Sequence, residues 1–412
     1  MDDCEKKQKN LIHKAGWVMV DHETIVENGY IKVSGKMIED IGCGKVKDAG
    51  LVIDHGPGVL MPKLVNAHTH LELCALKNRV PFENGFKEWV KSLITVRDEL
   101  DDKTLCEKAM TGIEELKASG CGIVCEIATL GLTWEMLAES GLFGIWFKEF
   151  LGSRSERLPE WKNKKNNFTS SLAGHAPHTT DPVLLHLLKA ATKIHRLPFS
   201  IHLAESVDEI EFMTTGKGPW ADFLKQRQID FSQWELPAKS PVTYLNQRKI
   251  LDSSTIAVHL TFARKEDFGL LKEKGTKVCV CPRSNANLHK KLPDIYGMIA
   301  AGLAPCIGTD SLACNDSLSI FDEMAFISGA FPELAPETIL KMATINGAYA
   351  AGFGNWLGSL NPKKYAEFHY VPIKAANNIE VQEAVVNVQQ VNMLQQAGIE
   401  TQAKKEKAKN GL

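Results

Sequence analysis

Between about residue 60 and residue 350, short apolar runs alternate with longer amphipathic stretches, and the pattern repeats eight times. The runs are VLMPKLVNAH, CGIVCEIAT, FGIWFKEFL, SLAGHAP, PFSIHLAE, STIAVHL, TKVCVCP and LAPCIGTD. Short, near-continuous apolar runs read as strands buried on both faces. Between the first two, FKEWVKSLITVRDEL sets Phe86, Trp89, Val90, Leu93, Ile94 and Leu100 largely on one face at helical spacing. Strands covered on both sides by helices form a parallel sheet, and eight strand–helix units match a closed (β/α)8 TIM-type barrel over residues 61–354. A doubly wound open sheet is the competing arrangement. No GxGxxG follows a strand, which weakens that option.

The flanks have a different texture. Residues 1–60 contain GWVMV, ETIVENGYIKVSG, KMIEDIGCG and GLVIDHGPGVLMP, alternating segments punctuated by glycine that predict a small antiparallel β unit. From residue 355 onward, LGSLNPKKYAEFHYVPI returns to β character. Residues 379–412 are rich in glutamine and lysine, and read either as a strand joining the small sheet or as a helix with a disordered end.

Composition narrows the function classes. A net charge of −2 argues against a nucleic-acid surface as the main purpose. The basic runs WKNKKNN and AKKEKAKNG read as a solvated loop and a frayed tail. The start MDDCEKKQKN lacks an apolar core for a secretory signal, and no segment has the length and apolarity of a membrane span. Ten scattered cysteines include no paired CxxC units, which disfavours a cysteine zinc site; a reducing cytoplasm fits their use as small core residues.

In a barrel of this type, chemistry gathers at the C-terminal ends of the strands. The polar residues at those ends are His68 and His70 on the first strand and His175 on the fourth, with His178 beyond it. The fifth strand gives His202 and then Glu205, the sixth His259 and the eighth Asp310. Each has an ordinary structural explanation alone: a hydrogen-bonded histidine, or an aspartate capping a helix. Five separate strands ending in such groups make those explanations jointly improbable. Three imidazoles and one carboxylate (His68, His70, His202, Asp310) suit one divalent metal ion, zinc first and ferrous iron second, with a position open for water. Glu205 is placed to move protons beside such a water. His259 is placed to orient it, and Asp310 to accept its proton.

The segments PKLVNAHTHLEL, HAPHTTDPVLL, SIHLAES, AVHL, CPRSN and GTDSLACNDSLSIFDEM closely resemble the amidohydrolase superfamily, in its nucleobase and nucleoside deaminase branch. The resemblance spans nearly the whole chain and implies a small β-sandwich domain built from both ends, 1–60 and 355–412. It implies His68, His70, His202 and Asp310 as metal ligands, Glu205 as the proton-shuttle glutamate and His259 as the histidine polarising water or substrate. It implies His175 as a substrate contact in nucleoside-using members. Within the branch, FKEWVKSLITVRDEL, KEFLG, GKGPWADFL, CPRSN and GTDSLACNDSLSIFDE are most similar to the aminodeoxyfutalosine deaminases of menaquinone biosynthesis. Those enzymes convert an adenine nucleoside bearing a carboxyphenyl group to its hypoxanthine form, with hydroxide generated at the metal adding to C6 and ammonia leaving. Methylthioadenosine/S-adenosylhomocysteine or adenosine deaminases come next. Guanine or cytosine deaminases and chlorohydrolases share the site, and a non-catalytic scaffold is the remote alternative.

The expected partner is therefore a purine nucleoside or nucleobase, with no nucleic acid and no membrane; a homo-oligomer stays open. A carboxylate-bearing substrate calls for a cation, and Arg154, Arg157 and Arg283 lie near predicted strand ends. Glu72, beside the histidine pair, falls at the pocket wall, contacting substrate or ordering a loop. Three positions depart from the family pattern: Lys63 replaces a glycine, His178 a tyrosine and Glu367 an aspartate.

Overall fold

The computed structural model describes residues 11–45, 50–83, 85–152, 164–226 and 229–388. Eight parallel strands follow one another around a ring: β1 (Leu64–Thr69), β2 (Cys121–Ala128), β3 (Phe143–Phe150), β4 (Phe168–Gly174), β5 (Phe199–Leu203), β6 (Thr255–His259), β7 (Lys277–Val280) and β8 (Cys306–Ile307). The ring closes where Thr69 and Asp310 form a parallel bridge. There the amides of Thr309 and Asp310 both donate to the His68 carbonyl at 3.0 Å. Among the described residues a helix follows every strand but β3 on the way to the next, and residues 153–163 of the β3–β4 connection lie outside the described residues.

The lumen is filled by alternate residues of the strands, among them Val65, Ile123, Cys125, Ile145, Phe147, Ala173, Ile256, Val258, Cys279 and Cys306. β5 supplies Ser200 and His202 at the positions paired with Ile256 and Val258. Its inward face is thus polar where its neighbours are apolar. Outward residues of the same strand, Phe199, Ile201 and Leu203, pack with Leu184, Leu185 and Leu188 of the helix Pro182–Ile194. That helix starts where Asp181 accepts from the Val183 and Leu184 amides and Pro182 fills the first turn.

The first apolar run is two strands rather than one. Val59–Pro62 belongs to a small sheet, Leu64–Thr69 to the barrel, and Lys63 joins them. One small sheet has the order 37–43, 29–34, 11–14, 51–54; the other runs 368–371, 59–62, 17–19, 25–27 and so draws on both flanks of the barrel. The unit is mixed rather than antiparallel. Leu11–Lys14 pairs in parallel with Leu51–Asp54, and Trp17–Met19 with Val59–Pro62. Crossovers between distant segments allow this, and the alternation within each strand cannot foretell it.

Lys63 and Glu367, two of the three departures from the family pattern, meet in one ion pair at 2.7 Å. Residues 378–386 form a helix burying Val381, Val385 and Val386; residues 389–412 lie outside the described residues. Among the described residues, no helix is long and apolar enough to cross a membrane.

Candidate metal centre and active site

His68 lies near the end of β1 and His70 one residue past it, at the entry to the short 3-10 helix Leu71–Leu76. Val65 and Ala67 face the lumen, so strict alternation would send His68 outward. The register of β1 against β2 shifts between Asn66 and Thr69, and an irregularity of this kind re-aims the side chains that follow it. His68 Nε2 then stands 3.2 Å from His70 Nε2 and 3.2 Å from His202 Nε2. Asp310 Oδ1 lies 3.7 Å from His70 Nε2 and 3.9 Å from His68 Nε2.

Nitrogens converging at this spacing fit a shared cation. Two Zn–N bonds of about 2.0–2.1 Å at a tetrahedral angle separate their nitrogens by about 3.3 Å. Protonation agrees. Burial, reinforced by the neighbouring imidazoles, holds His68 well below the usual histidine range; burial also lowers His70 despite Asp310 and Glu149. Neutral rings keep the lone pair that a metal needs. His202 Nδ1 donates to the His175 carbonyl at 2.8 Å, which fixes its tautomer and points the Nε2 lone pair at the cluster. Asp310 is oriented by the Ser311 amide at 2.8 Å and the Ser284 hydroxyl at 2.6 Å.

The backbone is strained around these groups. Ala204, His259, Leu260 and Asp310 all have φ between 52° and 76°, a region non-glycine residues enter at a cost and that clusters at functional sites. This turn swings His259, at the last position of β6, back toward the cluster. Its Nε2 lies 3.8 Å from Glu205 Oε1, while Asn285 meets its Nδ1 at 3.1 Å. Burial pushes His259 down to about 4, so it is neutral at physiological pH. Burial works against the Glu205 anion. Its interaction with the nearby His259 ring and a hydrogen bond from His289 outweigh it and hold the carboxyl well below its usual range. Glu205 is thus ionised and able to accept a proton. Its amide is pinned at 2.8 Å by the Glu209 carboxylate, which burial pushes up to about 8.

The remaining expected residues fall as follows. His175 stands at the end of β4 with its ring 4.9 Å from that of His202 and its Nδ1 2.7 Å from Thr179 Oγ1. Glu72 is 3 % exposed. Its two oxygens accept from the amides of Leu130, Gly131 and Leu132 at 2.6–2.7 Å, so the carboxylate orders the loop after β2. Arg283 is engaged by Asp316, by Ser317 at 3.0 Å and by Glu323 at 3.9 Å. With Asn287 it lines a cavity of about 330 Å³ between the loops after β1 and β8, one that the metal cluster does not border. Arg154 and Arg157 lie outside the described residues. His178 is buried against Trp220, its ring 4.9 Å away, and is held down to about 3 by burial.

Three residues join the site without having been singled out from sequence. Glu149, on β3, accepts from Thr129 at 2.6 Å and faces His202 Nδ1 at 3.8 Å. Asn285 and His289 come from the helix Pro282–His289 after β7. Asn285 stood inside the CPRSN segment, and Glu149 inside KEFLG. For His289 no local signal existed.

Comparison with known proteins places residues 59–393 within the Amidohydrolase family pattern. An aminodeoxyfutalosine deaminase of Deinococcus radiodurans is 27 % identical over 314 residues, covering 71 % of this chain and 73 % of the relative. A 5-methylthioadenosine/S-adenosylhomocysteine deaminase of Syntrophomonas wolfei is 25 % identical over 391 residues, 89 % of this chain and 85 % of the relative. Among solved structures, Helicobacter pylori aminofutalosine deaminase in complex with methylthio-coformycin superposes with a TM-score of 0.80 at 23 % identity, covering 92 % of this chain and 96 % of that one.

Proposed function

The chain belongs to the amidohydrolase family, and from that membership we propose that it is a metal-dependent hydrolytic deaminase of an adenine nucleoside, with Glu205 as its proton shuttle. The observation that carries the reading is an ionised, buried glutamate set 3.8 Å from His259 beside the converging His68, His70, His202 and Asp310. Those four residues would hold one divalent cation, zinc by its preference for imidazole and carboxylate donors, with ferrous iron second. When bound, such a cation lowers the pKa of a water from 15.7 toward about 7 and so supplies hydroxide at neutral pH.

The chain's own groups do the rest. Glu205 takes a proton from the nucleophilic water, delivers it to a ring nitrogen as C6 is attacked, and relays a proton to the departing amine. Water and the 6-amino compound become the 6-oxo compound and ammonia. With Asn285 Nδ2 donating to Nδ1, His259 carries its proton on Nε2 and orients the nucleophile. His175 contacts the nucleoside. Glu72 acts through the loop it orders.

We favour aminodeoxyfutalosine, a menaquinone precursor, as substrate, supported by the Deinococcus relative. The Syntrophomonas match, which covers more of both chains, keeps methylthioadenosine and S-adenosylhomocysteine as the second reading. The test is ammonia release from these compounds, adenosine, guanine and cytosine by protein of measured metal content. Glu205→Gln should keep its metal and lose about 10²–10⁴-fold in turnover. Wild-type rates in E205Q, or no ammonia from any compound at full metal occupancy, would overturn the reading.

A further inference from the structure

Glu205 must accept a proton and release it within one turnover, so which of its two oxygens is free decides whether the shuttle works. We propose that His289 is a positioning residue that holds Oε1 of Glu205 as a fixed acceptor and leaves Oε2 to exchange protons with water and substrate. The inference rests on the deaminase reading above.

His289 Nε2 lies 3.3 Å from Glu205 Oε1. A carboxylate only accepts, so the imidazole donates through Nε2–H. The same oxygen faces His259 Nε2 at 3.8 Å. Two imidazoles thus address Oε1. The His289 ring is itself held. Phe86, from the connection after β1, packs at 4.8 Å, and Phe262, from the loop after β6, meets it edge-on at 6.0 Å. Its side chain is only 4 % exposed. It occupies the last turn of the helix Pro282–His289. The neighbouring cations turn elsewhere. Lys290 lies over the Phe82 ring and Lys291 over the Phe262 ring. From the other side the Glu205 amide is fixed by Glu209. Backbone and one carboxylate oxygen are therefore both pinned, and the remaining freedom is that of Oε2.

A donor removed from a charged acceptor costs about 10–100-fold, and here the cost falls on proton transfer rather than on binding. The experiment compares the metal-loaded wild type, H289A and H289Q on the nucleoside that the wild type deaminates fastest, recording kcat, KM and bound metal. Glutamine places an N–H donor where Nε2 stands. H289A should lose about 10–100-fold in kcat with KM and metal unchanged, and H289Q should recover most of it. Wild-type kcat in H289A, a loss confined to KM, or equal loss of activity or metal in both variants would overturn the assignment. A wild type that releases no ammonia refutes the deaminase reading and this inference with it; an active wild type matched by H289A refutes the inference alone.

Discussion

Gly308 allows the barrel to close over His68, one of the four residues proposed to hold the metal, and Gly308→Ala should undo that closure. A Cβ at this position would sit 2.7 Å from His68 Cβ, 2.8 Å from the His68 carbonyl oxygen and 2.9 Å from its nitrogen. Carbon contacts are comfortable from about 3.5 Å, so β8 must retreat from β1 by about 0.8 Å. None of the opposing atoms is the free end of a flexible side chain. The retreat stretches the two 3.0 Å hydrogen bonds from Thr309 and Asp310 to the His68 carbonyl, each worth about 1 kcal/mol. With overpacking strain of about 1–3 kcal/mol, a loss of about 3 kcal/mol is expected. Because His68 and Asp310 lie on the two separating strands, much of it should appear as weaker metal binding. The full 3 kcal/mol is about two orders of magnitude in dissociation constant. Metal titration of the chelator-stripped protein, beside a thermal melt, reads both quantities. A G308A protein with wild-type melting and wild-type metal affinity would refute the reasoning.

Other consequences are smaller or lie elsewhere in the molecule. His178 is held down to about 3 by burial, against an ordinary value of 6.5, so the unfolded chain binds its proton first. The stability this neutral ring contributes is present above about pH 6.5 and is lost progressively as pH falls toward 3. His178→Asn should flatten the acid limb of a denaturation-versus-pH curve, and an unchanged limb would contradict this. The buried Lys189 ammonium donates to Asp252, Ser254 and Thr255 at 2.7–2.8 Å, tying the helix Pro182–Ile194 to the entry of β6. Lys189→Met should destabilise by about 3 kcal/mol without altering bound metal, and chemical denaturation of the loaded protein checks it. Lys63 and Glu367 are 34 % and 30 % exposed, so either single charge reversal should cost about 1 kcal/mol or less. The double reversal should restore what one reversal loses, and a double-mutant cycle with no coupling would remove the pair from the account.

The sequence by itself determined the barrel and pointed to the residues proposed for its centre. Eight short apolar runs separated by amphipathic stretches have few ways to bury both faces, and the chemistry of His68, His70, His202 and Asp310 at strand ends is legible as soon as the strands are. Tertiary structure decided the rest, and the reason is range. That β1 starts only after Lys63 and shifts register before His68 depends on its neighbours, since alternation within one strand carries no information about its partner's register. The meeting of Lys63 with Glu367 joins residues far apart in the chain, and so does that of Glu205 with His289. Arg283 reads as a free cation in CPRSN; only folding brings Asp316, Ser317 and Glu323 onto it. Glu72 reads as a group beside the histidine pair until the amides of Leu130, Gly131 and Leu132 arrive from the next loop. Local patterns record what a residue can do. Whether a carboxylate serves as shuttle, loop anchor or counter-ion depends on which donors the fold carries to it.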